Sequence, residues 1–80
     1  MVDVTLSDLG GEIEEATVSF WQVEPGEHVE QGADIVEVIT EKATFKVQAP
    51  CAGIIAEILV LEGEVVLAGN ILARIHEEGG

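Results

Sequence analysis

The chain has few of the residues on which catalysis, metal binding and secretion depend. Its single cysteine, Cys51, cannot form an internal disulfide, whereas a secreted domain of this size usually carries several. It has no tyrosine and two histidines, and 80 residues provide little volume for a substrate pocket. The composition therefore favours a non-catalytic module in a reducing compartment: the cytoplasm, or the mitochondrial matrix if the source is eukaryotic.

Positive charge is also scarce. Three basic residues stand against sixteen acidic ones, which gives a formal net charge of −13 at pH 7. Nucleic acids and anionic lipids bind mainly through Lys and Arg, so neither is an expected partner. The richest apolar stretch, residues 54–61, contains Glu57 and falls far short of the roughly 20 residues of a spanning helix. The first residues do not have the pattern of a signal peptide.

Hydrophobic residues make up 48% of the chain, which is enough for one compact domain over residues 1–80. A domain this small buries only roughly 60% of the surface that its unfolded chain exposes. Apolar residues alternate with polar ones or are rich in β-branched types, which predicts strands. The predicted strands are residues 2–6, 16–20, 35–40, 44–49, 54–61 and 71–75. Residues 12–15 are predicted to form a solvated loop.

An internal repeat with an offset of 37 residues links two of the turn segments. Gly26 and Gly32 recur as Gly63 and Gly69. Three further identities share this offset: Val23 with Val60, Glu27 with Glu64, and Val29 with Val66. The repeat predicts two small sheets packed face to face about a pseudo-two-fold axis. We expect the four glycines to adopt positive φ in matched turns.

The two lysines of the chain occupy different settings. Lys46 lies inside an alternating strand, whereas Lys42 lies at the reversal between two strands, where its side chain reaches solvent. The repeat gives Lys42 no counterpart, because the equivalent position is Gly79 near the end of the sequence. We therefore expect the Lys42 hairpin at one pole of the domain and the end of the chain at the other. A lysine on a hairpin tip is ordinarily only a solubilising charge.

Four segments of the sequence favour a more specific role for Lys42. They are residues 9–16 (LGGEIEEA), 23–32 (VEPGEHVEQG), 37–44 (EVITEKAT) and 48–53 (QAPCAG). Together they resemble the lipoyl domains of 2-oxo acid dehydrogenase complexes, over essentially the whole chain. The resemblance implies an all-β fold, a flattened barrel-sandwich of two four-stranded antiparallel sheets with pseudo-two-fold symmetry.

The resemblance also implies an attachment site. In this family the lysine of an Asp-Lys-Ala turn carries lipoic acid in amide linkage, and Lys42 occupies that position. Glu41 and Ala43 would form the recognition turn, with Glu41 replacing the usual aspartate. Gly32 and Gly53 flank the lysine as structural turn residues, in the manner of the family.

The implied role is that of a carrier rather than an enzyme. The lipoyl-lysine would act as a swinging arm that takes an acyl group from a thiamine diphosphate-dependent 2-oxo acid dehydrogenase. It would pass that group to coenzyme A at a dihydrolipoyl acyltransferase and be reoxidised by dihydrolipoyl dehydrogenase. The domain would be part of, or a substrate for, the acyltransferase component, and a lipoylating enzyme would install the cofactor.

Two alternatives stay open. Biotinyl domains share the fold but set their lysine between two methionines, and the only methionine here is Met1. Biotin is therefore the alternative cofactor. The second alternative is a cofactor-free adaptor of the same fold. The acidic residue before Lys42 favours a carrier over this adaptor.

The remaining candidate residues are interpreted as structural. Cys51, which follows Pro50 where the family usually has a small or apolar residue, has no basic neighbour in sequence to activate its thiol. His28 and His76 lack partners at metal-ligand spacing, so no metal site is expected. Phe20 and Trp21 are expected to cover the core at the end of a strand.

Overall fold

The computed structural model describes residues 1–6 and 13–77, which form eight β-strands. The strands are β1 (Val2–Thr5), β2 (Glu15–Trp21), β3 (His28–Val29), β4 (Asp34–Ile39), β5 (Thr44–Gln48), β6 (Gly53–Ile58), β7 (Val65–Leu67) and β8 (Ile71–Glu77). Six of them coincide with the strands predicted from the sequence. Within the described parts of the chain, no helix is long and apolar enough to cross a membrane.

The strands form two four-stranded sheets, which confirms the predicted fold. One sheet has the order β1-β8-β6-β3 and the other β5-β4-β2-β7, and all neighbouring strands are antiparallel. The apolar faces of the two sheets form one core, and no polar or charged side chain among the described residues is buried in it. Burial of aliphatic surface between the sheets is therefore the main stabilising contribution.

The 37-residue repeat is visible in backbone hydrogen bonds. The amide of Gly26 donates to the carbonyl of Ile55 at 2.8 Å, and the equivalent amide of Gly63 donates to the carbonyl of Val18 at 2.8 Å. The order of strands in the sheets follows the same repeat. Strands β2, β3 and β4 of the first half correspond to β6, β7 and β8 of the second half, and corresponding strands occupy equivalent positions in opposite sheets. The two halves of the chain therefore form one structural unit twice.

The repeat also accounts for two strands that the sequence did not predict. They are β3 and β7, which have two and three residues and lie at equivalent positions of the two halves. Strand β3 pairs with β6 and β7 pairs with β2, so each half adds its short strand to the sheet built mainly by the other half. Segments this short contain too little alternation to be recognised as strands.

A bulge in β2 corrects the prediction for its aromatic residues. Between Val18 and Phe20 the register against β4 shifts, so Phe20 lies opposite Glu37 and Trp21 lies opposite Val36. The extra residue reverses the alternation of faces. Trp21 therefore packs against the core as predicted, but the prediction that Phe20 covers the core is wrong, since Phe20 is 40% exposed.

Three of the four repeat glycines have the expected backbone. Gly26 and Gly63 both have a φ of 91°, and Gly32 has a φ of 86°, values that strain any residue with a side chain. Gly69 does not have positive φ, so the prediction was wrong at this position. The turn glycines of the two halves therefore match at the first position and differ at the second.

The turns at Gly32 and Gly69 differ in two hydrogen bonds. The amide of Asn70 donates to the carbonyl of Leu67 at 2.9 Å, as Ala33 does to Glu30 at 3.0 Å in the first half. Within the described residues, each turn also has a bond that the other does not form: the Gly32 amide donates to the carbonyl of Ala49 at 2.9 Å, and the Leu67 amide donates to Oδ1 of Asn70 at 2.8 Å. We attribute the different backbone at Gly69 to both differences, because asparagine commonly bonds the backbone of its own turn and because the bond that holds Gly32 to Ala49 is not formed at Gly69.

Gly53 lies in a strand rather than in the predicted turn. It is the first residue of β6 and is paired with Val29 on one side and Glu77 on the other. A Cβ atom at this position would collide with the carbonyl oxygen of His76 and would lie 2.8 Å from Cγ2 of Ile75. The glycine is needed for close approach of two backbones, not for positive φ.

Several terminal predictions fall partly outside the described residues. Residue 12 of the predicted loop and Gly79 are not among the described residues. Residues 13 and 14 lie outside the strands, and Glu15 begins β2. The Lys42 hairpin belongs to one sheet, and the two terminal strands, β1 and β8, belong to the other.

Candidate functional site

The hairpin between β4 and β5 carries Lys42. The two strands pair with Ile39 opposite Thr44 and Val38 opposite Phe45, which leaves a connection of four residues. The buried Val38 faces the core, so the register of β4 is fixed and the connection projects beyond the sheet. Lys42 lies in the middle of this connection, and its side chain is exposed, as the sequence predicted.

The connection is closed by hydrogen bonds at its base. The amide of Thr40 donates to the carbonyl of Ala43 at 2.8 Å. The hydroxyl of Thr40 accepts hydrogen bonds from the amides of Lys42 and Ala43, each at 3.2 Å, and donates to the Ala43 carbonyl at 3.1 Å. Neither Glu41 nor Lys42 has positive φ. The tip is therefore an ordered turn formed without glycine, proline or asparagine.

Thr40 is the residue of this site that the sequence reasoning missed. Its signal was present, because serine and threonine at the start of a turn often bond the backbone two or three residues further along. Glycine, proline, asparagine and aspartate are the more familiar turn residues, and this turn has none of them. The site therefore consists of Lys42, its predicted neighbours Glu41 and Ala43, and Thr40.

Lys42 and Lys46 differ in their contacts. Nζ of Lys46 lies 3.9 Å from Oδ2 of Asp34, and the side chain lies along the strand opposite Glu37. Lys42 makes no ion pair with any residue in the described ranges. The two exposed lysines therefore differ in that Lys42 lies at the tip of the hairpin without a carboxylate partner in the described ranges, whereas Lys46 lies in a strand beside Asp34.

The single arginine serves the opposite sheet. This residue is Arg74, whose Nη1 lies 3.1 Å from Oε1 of Glu57 and whose Nε lies 3.4 Å from Oδ1 of Asp3. Arg74 therefore links β1, β8 and β6. Two of the three basic side chains are thus held in ion pairs. Lys42 is the cation that remains available at the surface described by the structure.

A shallow groove of about 500 Å³ adjoins the hairpin and is lined in part by Lys42. Its apolar lining comes from Ile13, Ile39, Phe45 and Val65, and its carboxylates come from Glu14, Glu15 and Glu41. The surface around the lysine is therefore acidic with apolar patches. Such a surface favours partners with basic entrances.

The other sequence candidates show no activated chemistry. Cys51 lies between β5 and β6, and burial together with the charge of Glu77 raises the pKa of its thiol. A raised pKa leaves less thiolate at neutral pH, so the residue is a weak nucleophile. His28 and His76 flank Ile54 across one sheet. No group of three or more potential metal ligands occurs in the described residues.

Comparisons with known proteins agree with this geometry. The family model described as biotin-requiring enzyme, which covers biotin and lipoyl attachment domains, matches residues 2–75. The succinyltransferase component of the 2-oxoglutarate dehydrogenase complex of Cupriavidus necator is 37% identical over 78 residues, which are 98% of this chain and 19% of that protein. The acetyltransferase component of the pyruvate dehydrogenase complex of Corynebacterium glutamicum is 37% identical over 94% of this chain and 11% of that protein.

A solved structure shows the same fold. The lipoyl domain of the 2-oxoglutarate dehydrogenase complex from Azotobacter vinelandii superposes with a TM-score of 0.77 at 35% sequence identity. The match covers 99% of this chain and 100% of that domain. The chain thus corresponds to one domain of its much longer curated relatives.

Two four-stranded sheets related by an internal repeat are the fold of a cofactor-attachment domain. The chain belongs to the biotin/lipoyl attachment family. Within that family it is a lipoyl domain of the kind found in the acyltransferase (E2) components of 2-oxo acid dehydrogenase complexes. The domain is a carrier module.

Proposed function

We propose that Lys42 carries lipoic acid through an amide bond to its Nζ. The observation that supports this most directly is the position of Lys42, exposed on an ordered turn without an ion pair in the described residues. Lys46, the other lysine, lies in a strand beside Asp34. An amide on a hairpin tip gives an attachment that resists hydrolysis and leaves the cofactor free to reach several active sites.

The residues around Lys42 suit this cofactor. Lipoic acid supplies a dithiolane whose two sulfurs exchange an acyl group and two electrons with partner enzymes. Lys42 holds the arm, and the sheets hold Lys42 away from the core. Glu41 and Ala43 are the exposed neighbours by which a lipoylating enzyme would recognise the turn. Neither is methionine, the residue that flanks the lysine in biotinyl domains, so we propose lipoate rather than biotin.

We infer that the domain works within an E2 component and visits three enzymes. The arm would accept an acyl group at a thiamine diphosphate-dependent 2-oxo acid dehydrogenase and deliver it to coenzyme A at the acyltransferase. Dihydrolipoyl dehydrogenase would then restore the dithiolane. The support comes from relatives that are components of 2-oxoglutarate and pyruvate dehydrogenase complexes. The net charge of −13 would favour docking at basic entrances on these partners.

Intact-mass measurement after incubation with lipoate, ATP and a lipoate ligase tests the proposal. We expect the wild-type chain to gain one lipoyl group and Lys42→Arg to gain none, since arginine retains the charge but offers no acylatable amine. Lys46→Arg is the matched control and should be modified like the wild type. Both variants should unfold at the wild-type temperature, because the substituted side chains are exposed.

The same assay with biotin and a biotin ligase separates the alternatives. A biotinylated wild-type chain that refuses lipoate would establish the biotin alternative. A folded wild-type chain that neither ligase modifies would contradict the carrier proposal and leave the cofactor-free adaptor. Lipoylation that persists in Lys42→Arg would show that an amine other than that of Lys42 is modified.

A further inference from the structure

The hydroxyl of Thr40 is the centre of the turn that carries Lys42. It accepts from the Lys42 amide at 3.2 Å, accepts from the Ala43 amide at 3.2 Å and donates to the Ala43 carbonyl at 3.1 Å. A hydroxyl has one donor and two acceptor positions. All three are therefore used within one turn, and the group needs no other partner.

This hydroxyl adds three hydrogen bonds to the backbone bond that closes the turn, in which the Thr40 amide donates to the Ala43 carbonyl. No residue of this four-residue connection has positive φ, so it lacks the Gly or Asn conformations that order many tight hairpins. Within the described residues, no other side chain of the turn bonds to its backbone. Threonine is also stiff about χ1, so its oxygen is held in one direction. Among the described residues, Thr40 therefore supplies all the side-chain hydrogen bonds to the backbone of this turn.

We propose that Thr40 is a positioning residue for the modification of Lys42. Its hydroxyl fixes the backbone of the lysine, so that a lipoylating enzyme meets the amine in one geometry. This inference rests on the proposed lipoylation of Lys42. Without the hydroxyl the turn would populate several geometries, and the apparent affinity of the enzyme would fall by the fraction that remains competent.

We expect the Thr40 hydroxyl to affect recognition of Lys42 by the lipoylating enzyme more than the free energy of unfolding of the domain. Lys42 and Ala43 are exposed, and Thr40 is partly so. When an exposed bond is lost, water can replace the missing partner, and folding stability changes little. A positioning role and a merely structural role therefore predict different measurements.

Three variants separate these roles. Thr40→Val keeps the shape of the side chain and removes the hydroxyl, whereas Thr40→Ser keeps the hydroxyl. Thr44→Val is the matched control, because Thr44 lies as close to Lys42 in sequence and its hydroxyl makes no hydrogen bond to another described residue. Steady-state kinetics of lipoylation, with the domain as the varied substrate, give KM and kcat for each.

We expect the KM of Thr40→Val for the lipoylating enzyme to rise about fivefold with kcat within about twofold of wild type. Thr40→Ser and Thr44→Val should both keep a KM within about twofold of wild type. The thermal midpoint of all three should stay close to that of the wild type. A wild-type KM in Thr40→Val, or an equal rise in Thr44→Val, would overturn the proposal.

Amide hydrogen exchange provides a test that needs no enzyme. In the unmodified wild-type domain the amides of Lys42 and Ala43 should exchange more slowly than in Thr40→Val, while the amides of Val38 and Val47 should be unaffected. Equal exchange of Lys42 and Ala43 in the two proteins would overturn the positioning role even if Lys42 is lipoylated. If Lys42 and Ala43 exchange more slowly in the wild type than in Thr40→Val, as expected, but the wild type is never lipoylated, the proposed function fails and the positioning proposal fails with it.

Discussion

The two halves of the domain have the same order of strands and turns but differ in the strand that completes each sheet. In each half a bulged strand leads into a glycine turn, a short edge strand and a second glycine turn, and then a strand that returns to the first sheet. In the first half, β4 is followed by the hairpin that carries Lys42 and by β5. In the second half, the place of β5 beside β8 is taken by β1 from the start of the chain.

This difference separates the scaffold from the site. Features that recur in both halves, such as the Gly26 and Gly63 turns, support the fold. The hairpin occurs once and carries the amine. A symmetric scaffold thus presents a single Lys42 hairpin, and substitutions at paired positions test which features belong to the scaffold.

The largest effect is expected at the paired core positions Ile35 and Leu72. Both side chains are completely buried, and their carbonyls accept equivalent hydrogen bonds from Gln22 and Leu59. Ile35→Ala and Leu72→Ala should each lower the free energy of unfolding by about 2–5 kcal/mol, because each leaves a cavity between the sheets. Urea denaturation gives both values. A large loss at only one position would show that the halves contribute unequally to the core.

A smaller effect should separate Gly53 from Ala16, its counterpart in the first half. Ala16 is buried and accommodates its Cβ, whereas a Cβ at Gly53 would collide with the backbone of His76. Gly53→Ala should therefore destabilise the domain by about 1–3 kcal/mol through overpacking. Ala16→Gly is the reverse comparison and should cost only about 0.5–1 kcal/mol. Thermal unfolding measures both, and a neutral Gly53→Ala would show that β6 and β8 can move apart.

The smallest effect should distinguish Gly32 from Gly69. A methyl group added at either position would meet no atom within 4 Å, so only the backbone differs. Gly32→Ala should cost about 1 kcal/mol because φ is 86°, a value that alanine rarely adopts. Gly69→Ala should be neutral or slightly stabilising, since it restricts the unfolded chain without straining the turn. Equal costs in chemical denaturation would contradict the backbone difference between Gly32 and Gly69.

Long strands and glycine spacing made most of the fold predictable. Alternation located strands such as β2, β-branched content located strands such as β4, and the offset of 37 residues gave the pseudo-symmetry. The resemblance placed Lys42 on a hairpin that the structure forms. None of these inferences required knowledge of how the two sheets contact each other.

The errors arose where one residue changes a pattern. A single bulge residue before Phe20 turned that ring outward, and the turn at Gly69 has an Asn70 bond in place of the Ala49 bond that holds Gly32. The close approach at Gly53 depends on the distance to β8, which no local pattern contains. Thr40 was overlooked because its hydrogen bonds appear only once the hairpin has formed.

The exchange of edge strands between the halves has a consequence for how the chain folds. Because β3 pairs with β6 and β7 pairs with β2, neither sheet can be completed until both halves of the chain have been made and brought together. Most native pairings therefore join distant parts of the sequence, which is the condition under which small β-proteins fold slowly, over milliseconds to seconds. A peptide that ends before β6 would have no partner for β3, so we expect folding to be one cooperative event rather than two successive ones.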